Sequence, residues 1–327
     1  MNHQHVVHVV AWLLGCALSA GCLHGDEITL LGTPVMPGSV SADYAYPPSV
    51  ASIVARNPDI GKTFWNPGQY DMAPFRIFDN VYYVGGQLFS SYLIQTSDGL
   101  ILIDTNMGGP LTKPFLQRIV DLGFKLSDIK YVLITHAHVD HIGAAAELQR
   151  HGARVVLGRL DWDYAQTQAD LPGFRFEMPT RNMDARDGDR IVVGDTTIEC
   201  YASPGHTPGA MSYVLPAKDG DRVYRAIVLA GQGSNFAGLS QAEAFVDTME
   251  RLVAMAWQDW KSGHPVSVNL TAHPRFGRII DRARMLKSRQ PGQIHPYIDP
   301  YGTIAFLEKI LESNAKPKLE KELTPNE

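Results

Sequence analysis

Three histidines and an aspartate stand close together in the segment Thr135-His136-Ala137-His138-Val139-Asp140-His141. The segment follows a short apolar run and leads into a helical pattern, which is where α/β folds place their chemistry. Residues two apart in an extended segment point the same way, so His136 and His138 can bind one metal ion while Asp140 and His141 face a second. Neutral imidazoles and a carboxylate suit a borderline-soft divalent ion such as Zn²⁺. The cluster therefore predicts a metal centre rather than a set of hydrogen-bonded loop residues.

Two later histidines complete a set of candidate ligands. His206 stands in Ser203-Pro204-Gly205-His206-Thr207-Pro208-Gly209, and His273 stands in Thr271-Ala272-His273-Pro274. Both follow predicted strands, and the Gly and Pro residues around His206 predict a tight turn that presents its ring inward. Taken alone, each of the two is equally well explained as a surface histidine in an ordinary turn.

Alternating strands and helices are predicted to position these residues. Runs rich in β-formers at 75–84, 90–96 and 100–104 are separated by turn signals and predict an opening antiparallel meander. A helical pattern at 110–122 and an apolar strand at 131–135 precede the histidine cluster. The remaining predicted elements are helices at 142–150, 159–168, 240–261, 276–288 and 302–313, and strands at 153–157, 190–193, 197–202, 211–215 and 223–229. Two blocks of strands, each followed by helices, indicate an α/β (α+β) fold, and this pattern alone does not separate α/β from α+β. A four-layer α/β/β/α sandwich of two packed sheets is the architecture that we favour.

Composition limits the classes of partner. The chain has 327 residues, 45% of them hydrophobic, which suffices for one large globular domain or two small ones. Its formal net charge of -5 includes no long run of one sign. Neither nucleic acid nor an anionic membrane surface is therefore an expected partner, and a small-molecule substrate is favoured. The three cysteines do not suggest a disulfide framework, and the sequence does not indicate an oligomeric state.

The first residues have the pattern of an export signal. An apolar run from Val6 to Leu18 ends in small residues, although no Lys or Arg precedes it. Residues 1–21 are predicted to be a signal peptide of a periplasmic or secreted protein, with a membrane anchor or a buried segment as the alternative. Because Ser19-Ala20-Gly21-Cys22 resembles a lipoprotein cleavage box, a lipid-anchored form is a further alternative, and no stable membrane insertion is expected after the leader is removed. Residues 22–71 are predicted to be an irregular arm, and residues 72–327 the main domain.

The motifs resemble those of the metallo-β-lactamase superfamily. They are His-x-His-x-Asp-His at 136–141, Pro-Gly-His-Thr-Pro-Gly at 204–209 and a late His-Pro at 273–274. The resemblance covers residues 72 to the end and implies the αββα sandwich. The chain is most similar to the β-lactamase subclass that uses only histidine and aspartate ligands, subclass B3. That subclass implies two Zn²⁺ ions per chain, the first held by His136, His138 and His206 and the second by Asp140, His141 and His273.

The resemblance also implies an activity. It predicts an antibiotic-resistance hydrolase in which a zinc-bound hydroxide opens the β-lactam amide and Asp140 acts as a catalytic residue that helps to orient the nucleophile. Lactone-cleaving and thioester-cleaving relatives typically carry a metal-bridging Asp in the stretch that is Leu229-Ala230-Gly231-Gln232-Gly233 here. The Asp-Ser pair expected of β-lactamases in that stretch is missing as well. Ser234 and Asn235 are candidates for binding a substrate carboxylate, with the polar caps of a surface loop as the alternative.

Two other functions stay open on the sequence. One is a related two-zinc hydrolase that acts on a lactone or thioester, and the other is an inert exported zinc-binding protein. No Gly-x-Ser-x-Gly elbow and no phosphate-binding glycine loop is present, so neither a serine nucleophile nor a nucleotide cofactor is predicted. His151, His264 and His295 are predicted to be helix-end or loop histidines outside the site.

Overall fold

The computed structural model describes residues 62–169, 175–234 and 238–324. The predicted signal peptide, most of the predicted arm and the candidate substrate contact Asn235 lie outside the described residues. Within the described residues, no helix has the length and apolar character needed to cross a membrane.

A seven-stranded sheet forms the first half of the described chain. Its strands follow sequence order: β1 (Phe75–Phe78), β2 (Val81–Tyr83), β3 (Tyr92–Thr96), β4 (Gly99–Ile103), β5 (Ile129–Leu133), β6 (Arg154–Gly158) and β7 (Met183–Ala185). Strands β1 to β4 pair antiparallel, which confirms the predicted meander, whereas β4 to β7 pair parallel. Parallel neighbours end at the same edge of a sheet, so the loops after β4, β5 and β6 lie side by side.

A five-stranded sheet forms the second half. Its order is β12-β11-β10-β9-β8, with β8 (Arg190–Val193), β9 (Thr196–Ala202), β10 (Met211–Asp219), β11 (Arg222–Leu229) and β12 (Val266–Thr271). Strands β11 and β12 are parallel, and the other pairs are antiparallel. The loops after β9 and β12 carry His206 and His273.

Helices cover the outer face of each sheet. The first sheet carries α1 (Thr112–Asp121), α2 (Val139–Ile142), α3 (Ala145–Arg150) and α4 (Arg159–Gln168). Helix α5 (Leu239–Lys261) connects β11 to β12. After β12 follow α6 (Ile279–Lys287), α7 (Pro300–Ile310) and α8 (Lys316–Leu323), and a π-helical turn at Leu311–Ala315 joins the last two. Helices α5 and α7 pack on the second sheet, and α6 packs near β1.

Three apolar clusters separate these layers. Alternate residues of one strand face opposite sides of a sheet, so Leu93 and Leu102 pack under the helices of the first sheet while Ile94 and Ile101 pack between the sheets. A third cluster lies between the second sheet and helices α5 and α7. The arrangement confirms the predicted four-layer α/β/β/α sandwich.

Local differences from the predicted elements have steric or compositional causes. The helix predicted at 142–150 is split into α2 and α3, because Gly143 approaches the backbone of Met107 and Gly108 so closely that a Cβ would overlap it. The sequence did not predict β7, which has three residues, or α8, which buries no side chain and so shows no apolar periodicity.

Arg118 on α1 is a buried cation that ties the first sheet to the described end of the arm. Its guanidinium donates to the backbone carbonyls of Val84 at 2.8 Å, Gly85 at 2.8 Å, Tyr70 at 3.1 Å and Met72 at 2.5 Å. We expect Arg118→Lys to lower the free energy of unfolding by about 2–3 kcal/mol, because a lysine cannot reach all four acceptors. Urea-unfolding midpoints measure the loss, with Arg150→Lys at the exposed end of α3 as the control. Equal midpoints for the two variants would contradict this role.

Candidate metal centre

The structure brings the six predicted ligands together in two groups of three. The first group is His136, His138 and His206, and the second group is Asp140, His141 and His273. Within each group the candidate ligand atoms all lie within 4.8 Å of one another. The groups adjoin, since the ring centroids of His136 and His141 are 4.0 Å apart. These are the groups that the resemblance implies, and both are capable of binding a metal ion.

The first group is deeply buried. His136, His138 and His206 are 0%, 8% and 7% exposed, and their ring centroids lie 4.7 to 4.8 Å apart. Nε2 of His136 is buried and has no hydrogen-bond partner among the described residues. A buried polar atom without a partner costs free energy, and a metal ion at this position would satisfy it. Three imidazoles around such an orphaned nitrogen fit a metal ion well.

The second group is open to solvent. The side chains of Asp140 and His273 are 18% and 29% exposed, whereas that of His141 is fully buried. Oδ2 of Asp140 lies 3.1 Å from Nε2 of His141 and 3.7 Å from Nε2 of His273. A small molecule can therefore reach the centre over the second group.

Asp104, at the end of β4, is connected to one histidine of each group. Its Oδ2 accepts hydrogen bonds from Nδ1 of His141 and from the hydroxyl of Thr135, both at 2.8 Å, and its Oδ1 accepts from the backbone N–H of Thr135 at 2.7 Å. Because the Thr135 hydroxyl donates to Asp104, its oxygen is left to accept from Nδ1 of His136 at 3.0 Å. This network assigns the proton of both rings to Nδ1 and leaves Nε2 to bind a metal ion.

Backbone carbonyls orient the two later histidines in the same way. Nδ1 of His206 donates to the carbonyl of Gly233 at 2.8 Å, and Nδ1 of His273 donates to the carbonyl of Leu88 at 3.1 Å. The ring of His206 also lies against Gly231, where a Cβ would overlap its Cγ and Cδ2 atoms. Both rings therefore have Nε2 available, and the His206 ring occupies the space that a side chain at Gly231 would need.

Helix α5 fixes the turn that carries the third histidine of the first group. Nε2 of Gln241 donates to the carbonyl of Gly205 at 2.6 Å, and the hydroxyl of Thr248 donates to the carbonyl of Pro204 at 2.8 Å. Gly205 has a φ of 133° and lies against Phe245, which leaves no room for a side chain. The turn thus needs glycine here both for its conformation and for its contact with α5.

Asp161, in the first turn of α4, joins the loops of the first group. Its carboxylate accepts from the backbone N–H of Ala137 at 2.8 Å, the hydroxyl of Thr207 at 2.7 Å and the backbone N–H of Gly209 at 2.6 Å. Burial raises its pKa to about 6, although these three donors act in the opposite direction. One buried carboxylate therefore holds the loops after β5 and β9 against each other.

Burial keeps the histidines of the first group neutral. It lowers the pKa of His138 to about 3 and that of His206 to about 4, and it holds the pKa of His136 well below the ordinary value. Neutral imidazole is the form that binds metal, so these three side chains need to lose no proton at pH 7.

Burial also lowers the pKa of His273 in the second group, but the other two side chains of that group, Asp140 and His141, have the opposite electrostatics. Burial would lower the pKa of His141, but the carboxylates of Asp140 and Asp104 outweigh it and raise that pKa to about 10. Burial would likewise raise the pKa of Asp140, but His141 and His273 hold it well below its ordinary range. Without a metal ion His141 and Asp140 thus form an ion pair, and a metal ion that binds His141 displaces its proton.

We expect the metal-free protein to lose stability as the pH falls from about 6.5 to about 4. His138 and His206 have folded-state pKa values below their ordinary value of 6.5, so the unfolded chain binds more protons in this window. Each contributes up to about 1.4 kcal/mol per pH unit to the loss. Urea-unfolding midpoints of the chelator-treated protein at several pH values measure this loss of stability. We expect His206→Gln to make the midpoint depend less on pH, whereas His264→Gln, at an exposed histidine, should leave its pH dependence unchanged. A His206→Gln variant with unchanged pH dependence would be inconsistent with this cause.

Sequence reasoning missed three residues that support the site. Asp104 ends a buried strand beside the strand of the histidine cluster, and Asp161 begins the helix after the next strand, so both could have been found as acids at one sheet edge. No local signal marks Gln241. Of the predicted substrate contacts, Ser234 follows Gly233 directly and is partly exposed, and its role stays a prediction. His295 lies outside both groups, buried against Phe78 with a ring-centroid distance of 4.1 Å.

The fold and the two histidine and aspartate groups define a domain that is capable of binding metal ions. Residues 86–223 match the family described as the metallo-beta-lactamase superfamily. The chain therefore contains a metallo-β-lactamase superfamily domain, as its motifs predict.

Solved structures similar to the chain include metallo-β-lactamases. BJP-1, a subclass B3 metallo-β-lactamase of Bradyrhizobium japonicum, is 29% identical, with a TM-score of 0.67 over 77% of this chain and 95% of that chain. FEZ-1 from Legionella gormanii is 27% identical, with a TM-score of 0.68 over 77% of this chain and 97% of that chain. Both confirm the predicted fold.

Curated relatives carry other names. A hydroxyacylglutathione hydrolase of Bradyrhizobium sp. (strain BTAi1) is 32% identical over 134 residues, which are 41% of this chain and 46% of that protein. An N-acyl homoserine lactonase of Agrobacterium fabrum is 30% identical over 112 residues, 31% of this chain and 41% of that protein. The chain thus spans less than half the length of these relatives.

Proposed function

We propose that the protein is a two-zinc hydrolase that opens the amide bond of β-lactams. The observation that carries this proposal is the packing at Gly231, where the His206 ring leaves no room for a side chain. A metal-bridging Asp, which is typical of lactone-cleaving and thioester-cleaving relatives in this stretch, has no place there. The similarity to solved metallo-β-lactamases over nearly their full length supports the same activity.

The donor set fits zinc. His136, His138 and His206 would hold the first ion, and Asp140, His141 and His273 would hold the second. Imidazole nitrogen and carboxylate oxygen are ligands that Zn²⁺ accepts. The tautomers assigned to four of the five rings leave Nε2 available, namely those of His136, His141, His206 and His273. When bound, the ions supply Lewis acidity, which polarises a carbonyl and makes water acidic enough to act as a nucleophile at neutral pH.

The side chains around the groups orient and shield the reactants. Asp140 stays ionised and is a weak base, so its carboxylate serves best by accepting a hydrogen bond from the attacking water and orienting it. The hydroxyl of Tyr164 lies 3.4 Å from Nε2 of His138, and so a hydrogen-bond donor stands beside the first group. Ser234 and Asn235 remain the candidates for binding a substrate carboxylate. The buried first group excludes bulk water, and the open second group admits substrate.

Export is part of the proposal. A location in the periplasm or outside the cell is supported by the apolar run that precedes Ser19-Ala20-Gly21-Cys22.

Hydrolysis of a thioester or lactone is the second candidate function. It is supported by the partial sequence similarity to a hydroxyacylglutathione hydrolase and to a homoserine lactonase.

A panel of substrates tests the proposal. The zinc-loaded protein is offered a penicillin, a cephalosporin and a carbapenem beside an acylglutathione thioester and an acyl homoserine lactone. We expect the β-lactams to be cleaved. Asp140→Asn should lower kcat/KM for them at least about 100-fold. The control Asp247→Asn, at an exposed site on α5, should leave kcat/KM unchanged. Cleavage of the thioester or lactone alone would establish the second candidate, and no turnover of any substrate would leave an inert zinc-binding protein.

A further inference from the structure

A rigid turn borders the open second group. After β12 the chain passes through His273 and returns into α6. The backbone N–H of Phe276 donates to the carbonyl of His273 at 3.2 Å. The hydroxyl of Thr271 donates to the same carbonyl at 2.6 Å and accepts from the backbone N–H of Gly277 at 3.0 Å. These bonds hold the backbone of the turn beside His273, so the side chains of the turn start from a fixed place next to the candidate metal centre.

Two side chains of this turn lie at the rim of the centre. Phe276 is 39% exposed, and the centroid of its ring is 6.1 Å from the centroid of the His273 ring. The guanidinium of Arg275 lies 4.7 Å from the centroid of the Phe276 ring. At this distance the cation interacts favourably with the π face, which holds the arginine over the ring instead of leaving it free to move in solvent.

The charge of Arg275 is uncompensated. No carboxylate within residues 62–169, 175–234 and 238–324 forms an ion pair with it, whereas the nearby Arg278 has its Nε 3.7 Å from Oδ2 of Asp281. An unpaired guanidinium beside the exposed side of a site attracts anions and can bind a carboxylate through two parallel hydrogen bonds.

We infer that Arg275, held in place by Phe276, selects substrates that carry an anionic group and binds that group as the substrate approaches the second group. This inference rests on the proposed hydrolytic function and adds the substrate class, namely a carboxylate-bearing molecule with an apolar part that covers the ring of Phe276. β-Lactams and glutathione thioesters carry a carboxylate, whereas acyl homoserine lactones are neutral. The rim therefore disfavours neutral lactones as substrates.

A matched pair of ligands tests the inference on the zinc-loaded, full-length protein. A cephalosporin with a free carboxylate is compared with its methyl ester in turnover. Binding is measured by calorimetry with N-benzoylglycine and its methyl ester, because opening the β-lactam ring would give both cephalosporin products a carboxylate. We expect Arg275→Gln to raise KM for the free acid and to weaken binding of N-benzoylglycine about tenfold, with kcat and the ester values unchanged. Phe276→Leu should give a smaller loss, because the ring no longer holds the guanidinium. Arg284→Gln, which removes an exposed arginine from α6, is the control and should change nothing.

Salt provides a second readout. Added salt should weaken binding of the free acid to the wild-type protein but not to the Arg275→Gln variant. Equal affinity of the wild-type protein for free acid and ester, or equal losses of both in Arg275→Gln, would overturn the inference. Binding by calorimetry does not depend on turnover. If no β-lactam is hydrolysed, the proposed function is refuted, but the calorimetric comparison still shows whether Arg275 binds an anion.

Discussion

Gly231→Ala is expected to remove metal from the first group and to lower kcat/KM at least about 100-fold. The added methyl group would overlap Cγ and Cδ2 of His206 and lie 2.7 Å from its Nε2, so the ring must move away from His136 and His138. Displacement of a reacting group or ligand by about 1 Å is enough for a loss of that size. The backbone of Gly231 itself is unstrained, which leaves the steric overlap as the cause.

Metal content and the visible spectrum of the cobalt-substituted protein measure this effect. Gly123→Ala is the matched control, because its φ of 88° makes alanine strained while no atom lies within 4 Å of the new methyl group. We expect that variant to lose about 1 kcal/mol of stability and to keep its metal and its turnover. If Gly231→Ala binds metal normally, His206 is not a ligand and the argument against a bridging carboxylate at this position is wrong.

Asp104→Asn is expected to weaken metal binding at both groups by about 10-fold to 100-fold. The carboxylate accepts from Nδ1 of His141, from the hydroxyl of Thr135 and from the Thr135 backbone N–H. An asparagine has a single oxygen, so its NH₂ group would face at least one of these donors. The hydrogen of the Thr135 hydroxyl or the proton on Nδ1 of His141 would then have to move, and the orientation of His136 or His141 would change with it.

Stepwise zinc titration against a competing chelator measures both affinities. Asp98→Asn, at an exposed turn residue of the first sheet, is the control. Asp104→Asn should also release fewer protons than the wild-type protein when metal binds at pH 8, because Asp104 contributes to the raised pKa of His141. A loss of affinity at only one group would show that the link through Thr135 to His136 does not operate.

The sequence predicted most elements that position the site because their patterns are local. The apolar run before the histidine cluster is β5, and the run at 100–104 is β4 apart from its ends. Helix α4 lies where its periodicity predicts it, at Arg159–Gln168. The irregular segments were harder to predict from the sequence. For example, the break between α2 and α3 depends on a contact of Gly143 with residues distant in sequence.

By itself, the sequence indicated the superfamily and the candidate ligands of the central cluster. His136, His138, Asp140 and His141 are neighbours in the chain, so their spacing already places donors on two sides of one loop. Resemblance to a known family then implied roles for His206 and His273, which stand far from the cluster and from each other.

Only the tertiary structure decided how these distant residues meet. The carboxylates of Asp104 and Asp161 act on the histidine loops because parallel strands end at one edge, and the ring of His206 fills the space at Gly231 because a loop of the second sheet folds over it. The same holds for Arg275, whose place at the rim depends on hydrogen bonds of the turn after β12. Local spacing encodes which atoms can bind a metal ion, whereas orientation, burial and charge depend on contacts between segments that sequence patterns do not connect.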